Sequence, residues 1–278
     1  MSYRKRKIIN NLMLFLSTLS FFVGALFLFW ILGDIFIKGI SKLNLRLIID
    51  LPKPPGVPGG GVANAIIGTM LLSLIASIIG IPIGILSGIY IAEYGNNRFA
   101  WWTRYISEVL SSIPTIIIGI FIYIVIVVPM KRFSAIAGGV ALGIIMIPTI
   151  VKATEESLKM IPNTVREAGY ALGAPKWRVI IKVVLPSASS GIITGIMSSL
   201  ARIMGETAPL LFTSLNNNFL SLRLDQPIAS LTVTIFNYAT SPYKEWKDIA
   251  WASSFLLAMI ILLLNILSRY YGKRRYHQ

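Results

Sequence analysis

Long apolar runs, separated by short polar segments, are the strongest constraint on how this chain can fold. Hydrophobic residues make up 55% of the 278 residues and charged residues only 13%, which is more apolar surface than one water-soluble core can bury. A helix needs about 20 mainly apolar residues to cross a bilayer. Five such runs lie at 12–32, 63–92, 106–128, 135–151 and 249–267, and a further run begins at Ser187. The sequence therefore predicts an all-α integral membrane protein with six transmembrane helices.

Charge and rare residues exclude several classes of function. The net charge is +15, but the lysines and arginines lie beside apolar runs and do not alternate with stacking aromatic residues, so we expect membrane lipid and no nucleic acid as a partner. There is no cysteine, and His277 is the single histidine, so we expect no metal site, no cofactor and no catalytic residue. The chain also lacks the G-x-x-x-x-G-K-[ST] loop that holds nucleotide phosphates. If ATP drives this protein, another chain binds it.

Glycines and prolines mark the segments between and within the apolar runs. Residues 52–61 include four prolines and four glycines, which predicts an extended loop. In the second run Gly80, Gly84 and Gly88 recur at four-residue intervals, and such a smooth stripe allows another helix to approach closely. We predict a polar turn at 93–104 and a break at Pro114 in the third run.

A charged island at 164–186 predicts a helix-turn-helix. Thr164 and Glu167 have the spacing of a capping box at a helix start, Gly173 suits a left-handed C-terminal position, and Pro175 suits the first position of the next helix. The second helix is predicted to be amphipathic. Its predicted apolar face consists of Trp177, Ile180, Ile181, Val184 and Leu185, and its basic face of Lys176, Arg178 and Lys182. Such a helix lies on a membrane surface or on a partner.

The order of residues in this island resembles the cytoplasmic E-A-A…G…I-x-L-P loop with which ABC importer permeases bind their ATPase subunit. The resemblance is closest to the A-type permease of phosphate importers, and it is carried by the segments 166–177, 201–213 and 226–236 within a region of about 63–268. It implies a type I ABC importer permease fold with a docking loop at about 152–186. The docking residues that it implies are Arg166, Glu167, Ala168, Gly169, Gly173, Ala174, Pro175 and Trp177.

Arg202 and Glu206 are ionisable residues four apart in the run that begins at Ser187, the fifth in chain order, and this spacing places them on one face of a helix. Ionisable groups in the membrane cost roughly 3 kcal/mol each on insertion scales, so they should face protein or water. Two interpretations remain open from position alone. The pair could brace helix packing, or it could line an anion pathway in which Glu206 orients Arg202. The resemblance favours the second, because R-x-x-G-E-T is the matching motif of the phosphate permease.

The distribution of positive residues predicts the orientation in the membrane. With the amino end inside, sixteen of the 26 lysines and arginines lie on the cytoplasmic side and nine outside, while Arg202 lies within a span. We therefore expect a multi-pass protein of the cell membrane with both termini and the 152–186 loop in the cytoplasm.

The resemblance implies a function and a set of partners. We expect residues 1–62 to form an amino-terminal transmembrane helix with an outer loop, and 63–278 to form the permease core. The implied role is a non-enzymatic permease subunit that forms half of the pathway for importing inorganic phosphate. Its implied partners are two copies of an ABC ATPase, a second homologous permease and an extracytoplasmic phosphate-binding protein. The alternatives are a permease of the same class for another small anion and, from a different class, an ion-coupled secondary transporter.

Overall fold

The structure is a computed structural model that describes residues 3–95 and 97–274, and it contains no β-strand within those ranges. The helices in chain order are α1 (Tyr3–Ile40), α2 (Leu45–Ile49), α3 (Ala63–Tyr94), α4 (Arg98–Ser112), α5 (Thr115–Ile122), α6 (Val128–Met130), α7 (Ala135–Lys159), α8 (Asn163–Ala171), α9 (Lys176–Val179), α10 (Leu185–Met204), α11 (Ala208–Thr213), α12 (Leu231–Ala239) and α13 (Lys244–Arg274). Two π-helical turns, Tyr123–Val127 and Ile180–Val184, lead into α6 and α10.

The helices provide five candidate membrane spans, or six if one bent helix pair counts as a span, and they confirm the predicted all-α membrane fold. Within the described residues, α1, α3, α7, the continuous helix Lys176–Met204 and α13 are each long and apolar enough to span a bilayer, and α4 with 115–130 is the bent pair. The bend is 102° and lies at Ile113 and Pro114, where the backbone is extended because a proline disfavours the helical conformation of the residue before it. The predicted break at Pro114 is confirmed.

The polar turn predicted at 93–104 is wrong over most of its length. Helix α4 begins at Arg98, because the Asn97 side chain caps it by accepting a hydrogen bond of 2.8 Å from the backbone N–H of Ala100. The chain between α3 and α4 is therefore only a few residues long. Polarity in this segment reflects an amphipathic helix rather than a loop.

Helices α3 and α7 form the centre of the bundle, and the predicted glycine stripe explains how closely they pack. A Cβ atom at Gly84 would lie 2.7 Å from the Ile150 side chain, and one at Gly88 would lie 2.6 Å from Cβ of Thr154. Only glycine permits this approach. The surrounding core is apolar, and its fully buried members on α3 and α7 include Leu72, Leu142, Met146 and Ile150.

The amino-terminal helix lies outside this bundle. Almost every side chain of α1 is exposed, and α1 packs mainly against α13, for example through Phe36, whose ring centroid lies 5.5 Å from that of Phe255. Residues 52–61 contain no helix, as predicted, and the loop returns to the bundle at Val62, which is fully buried.

The second helix of the charged island continues into the fifth span, whereas the sequence predicts a separate helix followed by a span that begins at Ser187. Lys176–Met204 is one helix of 29 residues. Pro186 lies in the first turn of α10, directly after the π turn Ile180–Val184. Proline has no backbone N–H to donate, and the changed hydrogen-bond register of the π turn lets the helix continue through it. Any movement of the island is therefore connected directly to the fifth span.

The polar stretch predicted after Ser214 also folds back into the bundle. It includes α12, whose residues 231–234 are buried. Its amino end is capped by Ser230, and the backbone N–H of Leu231 donates a 2.9 Å hydrogen bond to the Thr69 hydroxyl on α3. This helix closes the end of the bundle opposite the charged island.

Candidate functional site

The charged island forms a hairpin of two helices whose turn depends on one glycine. Gly173 has a φ of +76°, as predicted, and its N–H donates a 2.9 Å hydrogen bond to the carbonyl of Tyr170. A Cβ atom there would contact nothing within 4 Å. Glycine is required at this position by backbone conformation alone, since the left-handed region costs other residues free energy.

The N-caps differ from the prediction by two residues in the first hairpin helix and by one residue in the second. Pro162 occupies the N-cap of α8 with an extended backbone, so Thr164 is already helical and makes no capping box with Glu167. Pro175 likewise is the N-cap of α9, and the helix begins at Lys176. Helix α8 therefore starts two residues earlier than predicted and α9 one residue later, each directly after a proline whose φ is fixed.

Two of the eight residues implied for docking face the interior of the protein. The guanidinium of Arg166 lies on the last turn of α3, where Nη2 is 2.7 Å from Oε1 of Glu93, and these side chains are 14% and 4% exposed. Gly169 is buried, and a Cβ atom there would lie 3.0 Å from the methyl groups of Val179. Gly169 therefore allows α8 and α9 to pack together, and most of the surface of both residues is covered by the protein itself.

The outward surface of the hairpin comes from the remaining residues and from two that the sequence reasoning missed. Glu167, Ala168, Gly173, Pro175 and Trp177 are exposed, Ala174 is half-buried, and the missed residues are Tyr170 and Leu172. Leu172 is 89% exposed and Trp177 54% exposed. Apolar side chains at the tip of a polar turn were the available signal, because such residues are usually buried unless a partner covers them.

The predicted apolar face of the second hairpin helix is divided between the interior and the surface of the protein. Ile180 and Val184 are buried together with Val179, whereas Trp177 and Ile181 are exposed. The exposed part of this face is the part that a membrane surface or a partner could contact.

The second predicted site lies near the opposite end of the same long helix. Arg202 is in the last turn of α10, but Glu206 follows the end of that helix at Met204, so the two are not on one continuous helical face as predicted. Nε of Arg202 is 3.8 Å from Oε1 of Glu206, a separation of an ion pair without a hydrogen bond. Arg202 is 51% exposed and Glu206 16%. The backbone carbonyl of Glu206 accepts a 2.8 Å hydrogen bond from Thr232 on α12.

A polar cleft extends from below Arg202 toward the hairpin. One cavity of about 450 Å³ lies between α7 and α10, and its polar lining includes Thr149, Lys152, Thr194 and Ser198. A neighbouring cavity of about 420 Å³ shares Lys152 and is also lined by Arg104, Ser107, Glu155 and Lys159. The sequence signal for this cleft was the run of Thr194, Ser198 and Arg202 at four-residue spacing on α10.

The cleft carries charges of both signs. Its lining combines hydroxyl groups and basic side chains with three carboxylates, those of Glu108, Glu155 and Glu156. Within the described residues no group of three or more His, Asp or Glu side chains could hold a metal ion.

Comparison with known proteins agrees with this geometry. Residues 80–275 match the family model described as the binding-protein-dependent transport system inner membrane component. The chain is 47% identical over 277 residues to the "Phosphate transport system permease protein PstA" of Yersinia pestis, covering 99% of this chain and 93% of that one. The chain belongs to the ABC importer permeases. It is also 34% identical to the "Probable phosphate transport system permease protein PstA" of Methanocaldococcus jannaschii, over 95% of this chain and 94% of that one.

Solved structures of ABC importer permeases show the same fold. An inward-facing form of the MetNI methionine ABC transporter matches with a TM-score of 0.61 and 21% identity, over 77% of this chain and 94% of that one. A bacterial alginate ABC transporter, in complex with an alginate pentasaccharide-bound periplasmic protein, matches with a TM-score of 0.68 and 14% identity, over 97% and 96% of the two chains. The family likeness extends beyond the 63–268 region, since the Yersinia pestis permease also aligns with the first 60 residues.

Proposed function

We propose that this ABC importer permease forms half of an ATP-driven pathway that carries inorganic phosphate into the cell. The observation that carries the proposal is the position of Arg202, half exposed and four residues beyond Ser198, which lines the cleft, in a chain whose relatives are named as phosphate transport permeases. A second homologous permease supplies the other half of the pathway. An extracytoplasmic binding protein delivers phosphate to it, and residues 63–278 form the core behind an amino-terminal unit, 1–62.

The hairpin is the proposed site for the ATPase, of which the complex holds two copies. Its exposed tip presents Tyr170, Leu172 and Trp177, a set of apolar and aromatic side chains that gain free energy when a partner removes them from water. The continuous helix Lys176–Met204 runs from this tip to Arg202. Closure of the ATPases can therefore move both ends of the proposed pathway.

The proposed orientation places the hairpin and both termini in the cytoplasm. The excess of positive residues on that side supports it. Within the structure, Arg104 on α4 pairs with Glu155 on α7 at 2.6 Å, and Lys176 on α9 contacts the end of α3, so these basic segments share one end of the bundle. That end is where ATP is available.

Arg202 is the proposed anion contact in the outer half of the membrane. A planar guanidinium can engage two oxygens of phosphate at once, and Glu206 at 3.8 Å holds it without occupying its donors in a hydrogen bond. Below it, Ser198 and Thr194 continue the cleft toward Lys152. A half-exposed cation attracts an anion but releases it more readily than a closed cage would.

The proposal is tested by transport in proteoliposomes that contain the complete importer, with its ATPase and its binding protein. We expect uptake of radioactive phosphate that requires ATP and is not displaced by excess sulfate. Uptake of sulfate at the same rate would show a permease of the same class for a different anion. Uptake driven by a proton gradient, without ATP, would contradict the proposal and show an ion-coupled secondary transporter.

A further inference from the structure

A buried ion pair joins the hairpin to the last turn of α3, and the proposed docking surface does not use it. Arg166 reaches Glu93 with Nη2 at 2.7 Å and Nε at 3.1 Å from the same carboxylate oxygen, Oε1. The two residues are 73 positions apart in the chain. With side chains only 14% and 4% exposed, the pair is shielded from water on both sides, which strengthens its electrostatic attraction.

The same guanidinium also closes the end of α7. Nη1 of Arg166 donates a 2.7 Å hydrogen bond to the carbonyl of Ile161, and Nη2 donates one of 2.9 Å to the carbonyl of Leu158. Carbonyl groups at the end of a helix have no partner within it, so a cationic side chain that binds them fixes the direction in which the chain leaves. Arg166 therefore sets the corner between α7 and α8 and fastens that corner to α3.

The second hairpin helix is fastened to the same turn of α3. Nζ of Lys176 donates a 2.6 Å hydrogen bond to the backbone carbonyl of Glu93 and lies 4.1 Å from the ring centroid of Tyr94. Both hairpin helices thus attach to residues 93 and 94. Helix α3 in turn packs along α7 through its glycine stripe, so a displacement of the hairpin has a direct route into the centre of the bundle.

We propose that Glu93 and Arg166 are positioning residues that make the hairpin and α3 move as one body when the ATPase acts. This proposal rests on the proposed function, because it assigns to that ATPase the route by which its closure reaches the pathway. A merely stabilising pair would affect the amount of assembled complex. A positioning pair also sets how much transport each hydrolysed ATP produces, and this second effect can be measured separately.

The first test compares phosphate uptake per ATP hydrolysed in proteoliposomes that contain equal amounts of assembled importer. Glu93→Gln keeps the shape of the side chain but removes its charge, and Arg166→Lys keeps the charge but loses the fork that also binds the two carbonyls. For both we expect ATP hydrolysis to persist while uptake per ATP falls about fivefold or more, the lower range of coupling between sites. Asp34→Asn, which removes an exposed ion pair with Lys38, is the matched control and should leave the ratio unchanged.

An unchanged ratio in assembled Glu93→Gln and Arg166→Lys complexes would overturn the proposal. So would a loss of uptake that only follows a loss of bound ATPase. If Glu93→Gln does not accumulate, Arg166→Lys provides the same comparison with the charge retained. A parental complex that hydrolyses ATP but takes up no phosphate would instead refute the proposed function.

A distance measurement tests the inference without any transported substrate. The chain has no cysteine, so spin labels can be placed uniquely at Thr164→Cys on α8 and Ile78→Cys on α3, both exposed positions. In the parental complex we expect one narrow distance distribution that nucleotide does not change. In Glu93→Gln we expect it to broaden or shift when nucleotide binds. Identical distributions in both complexes would show that the pair does not hold the hairpin to α3.

Discussion

Replacement of Gly173 isolates the contribution of the hairpin turn to ATPase binding. A side chain at this position meets no other atom within 4 Å, so the effect of a substitution comes from the backbone conformation, with φ at +76°. A non-glycine residue in the left-handed region costs roughly 1–2 kcal/mol, and a β-branched residue lies at or above the upper end of that range. Asparagine tolerates this region better than most residues.

The expected series follows from these costs. If the native turn must form before the ATPase binds, a cost of about 1.4 kcal/mol weakens apparent binding by about tenfold. We therefore expect Gly173→Val to weaken binding by about tenfold or more, Gly173→Ala by less, and Gly173→Asn to remain closest to the parental protein.

The assay is titration of purified ATPase onto permease variants at matched membrane levels, with the bound fraction measured by co-purification. The three replacement side chains are all uncharged, so the order of ATPase affinities among the variants reflects the conformation of the turn. Equal affinity of Gly173→Val, Gly173→Asn and the parental protein would refute the reasoning. It would show that the ATPase does not depend on the geometry of this turn.

Three further predictions concern the tip, the helix packing and the topology. Leu172→Ser together with Trp177→Ser should weaken ATPase binding in the same titration without lowering the amount of folded permease, and unchanged affinity would place the docking surface elsewhere. Gly84→Leu should lower the unfolding temperature of the permease in detergent, because overpacking against Ile150 costs about 1–3 kcal/mol. The control is Gly24→Leu on the exposed α1, which should have little effect. Equal stability of the two variants would contradict the packing of α3 on α7. A cysteine at Arg98 should react with a membrane-impermeant reagent only from the cytoplasmic side and one at Val57 only from outside, and the reverse pattern would contradict the orientation.

Features set by local sequence could be predicted, because they depend on residues close together in the chain. The apolar runs define the spans, since a bilayer requires about 20 apolar residues in succession. The left-handed turn at Gly173 and the break at Pro114 follow from backbone sterics of single residues. The glycine stripe on α3 also indicated a close helix contact, although not that its partner is α7.

Features set by tertiary packing could not be predicted in the same way. The resemblance implied a docking role for Arg166, but it gave no sign that this side chain pairs with a carboxylate 73 residues earlier. Packing buries Ile180 of the predicted apolar face, while Trp177 and Ile181 of the same face stay exposed. Glu206 was assigned to the same helix as Arg202, but Gly205 ends that helix.

The central claim, that an anion passes Arg202 when the ATPase acts, is tested most directly by phosphate uptake per assembled complex. The decisive variants are Arg202→Lys and the double variant Arg202→Ala with Glu206→Ala. The double variant removes both charges of the pair and so leaves no uncompensated charge to disturb folding. The account predicts that the double variant assembles with its ATPase yet fails to transport, and that Arg202→Lys transports poorly because it lacks the planar fork. Transport by the double variant at the parental rate would show that the pair only braces the helices, and it would contradict the account.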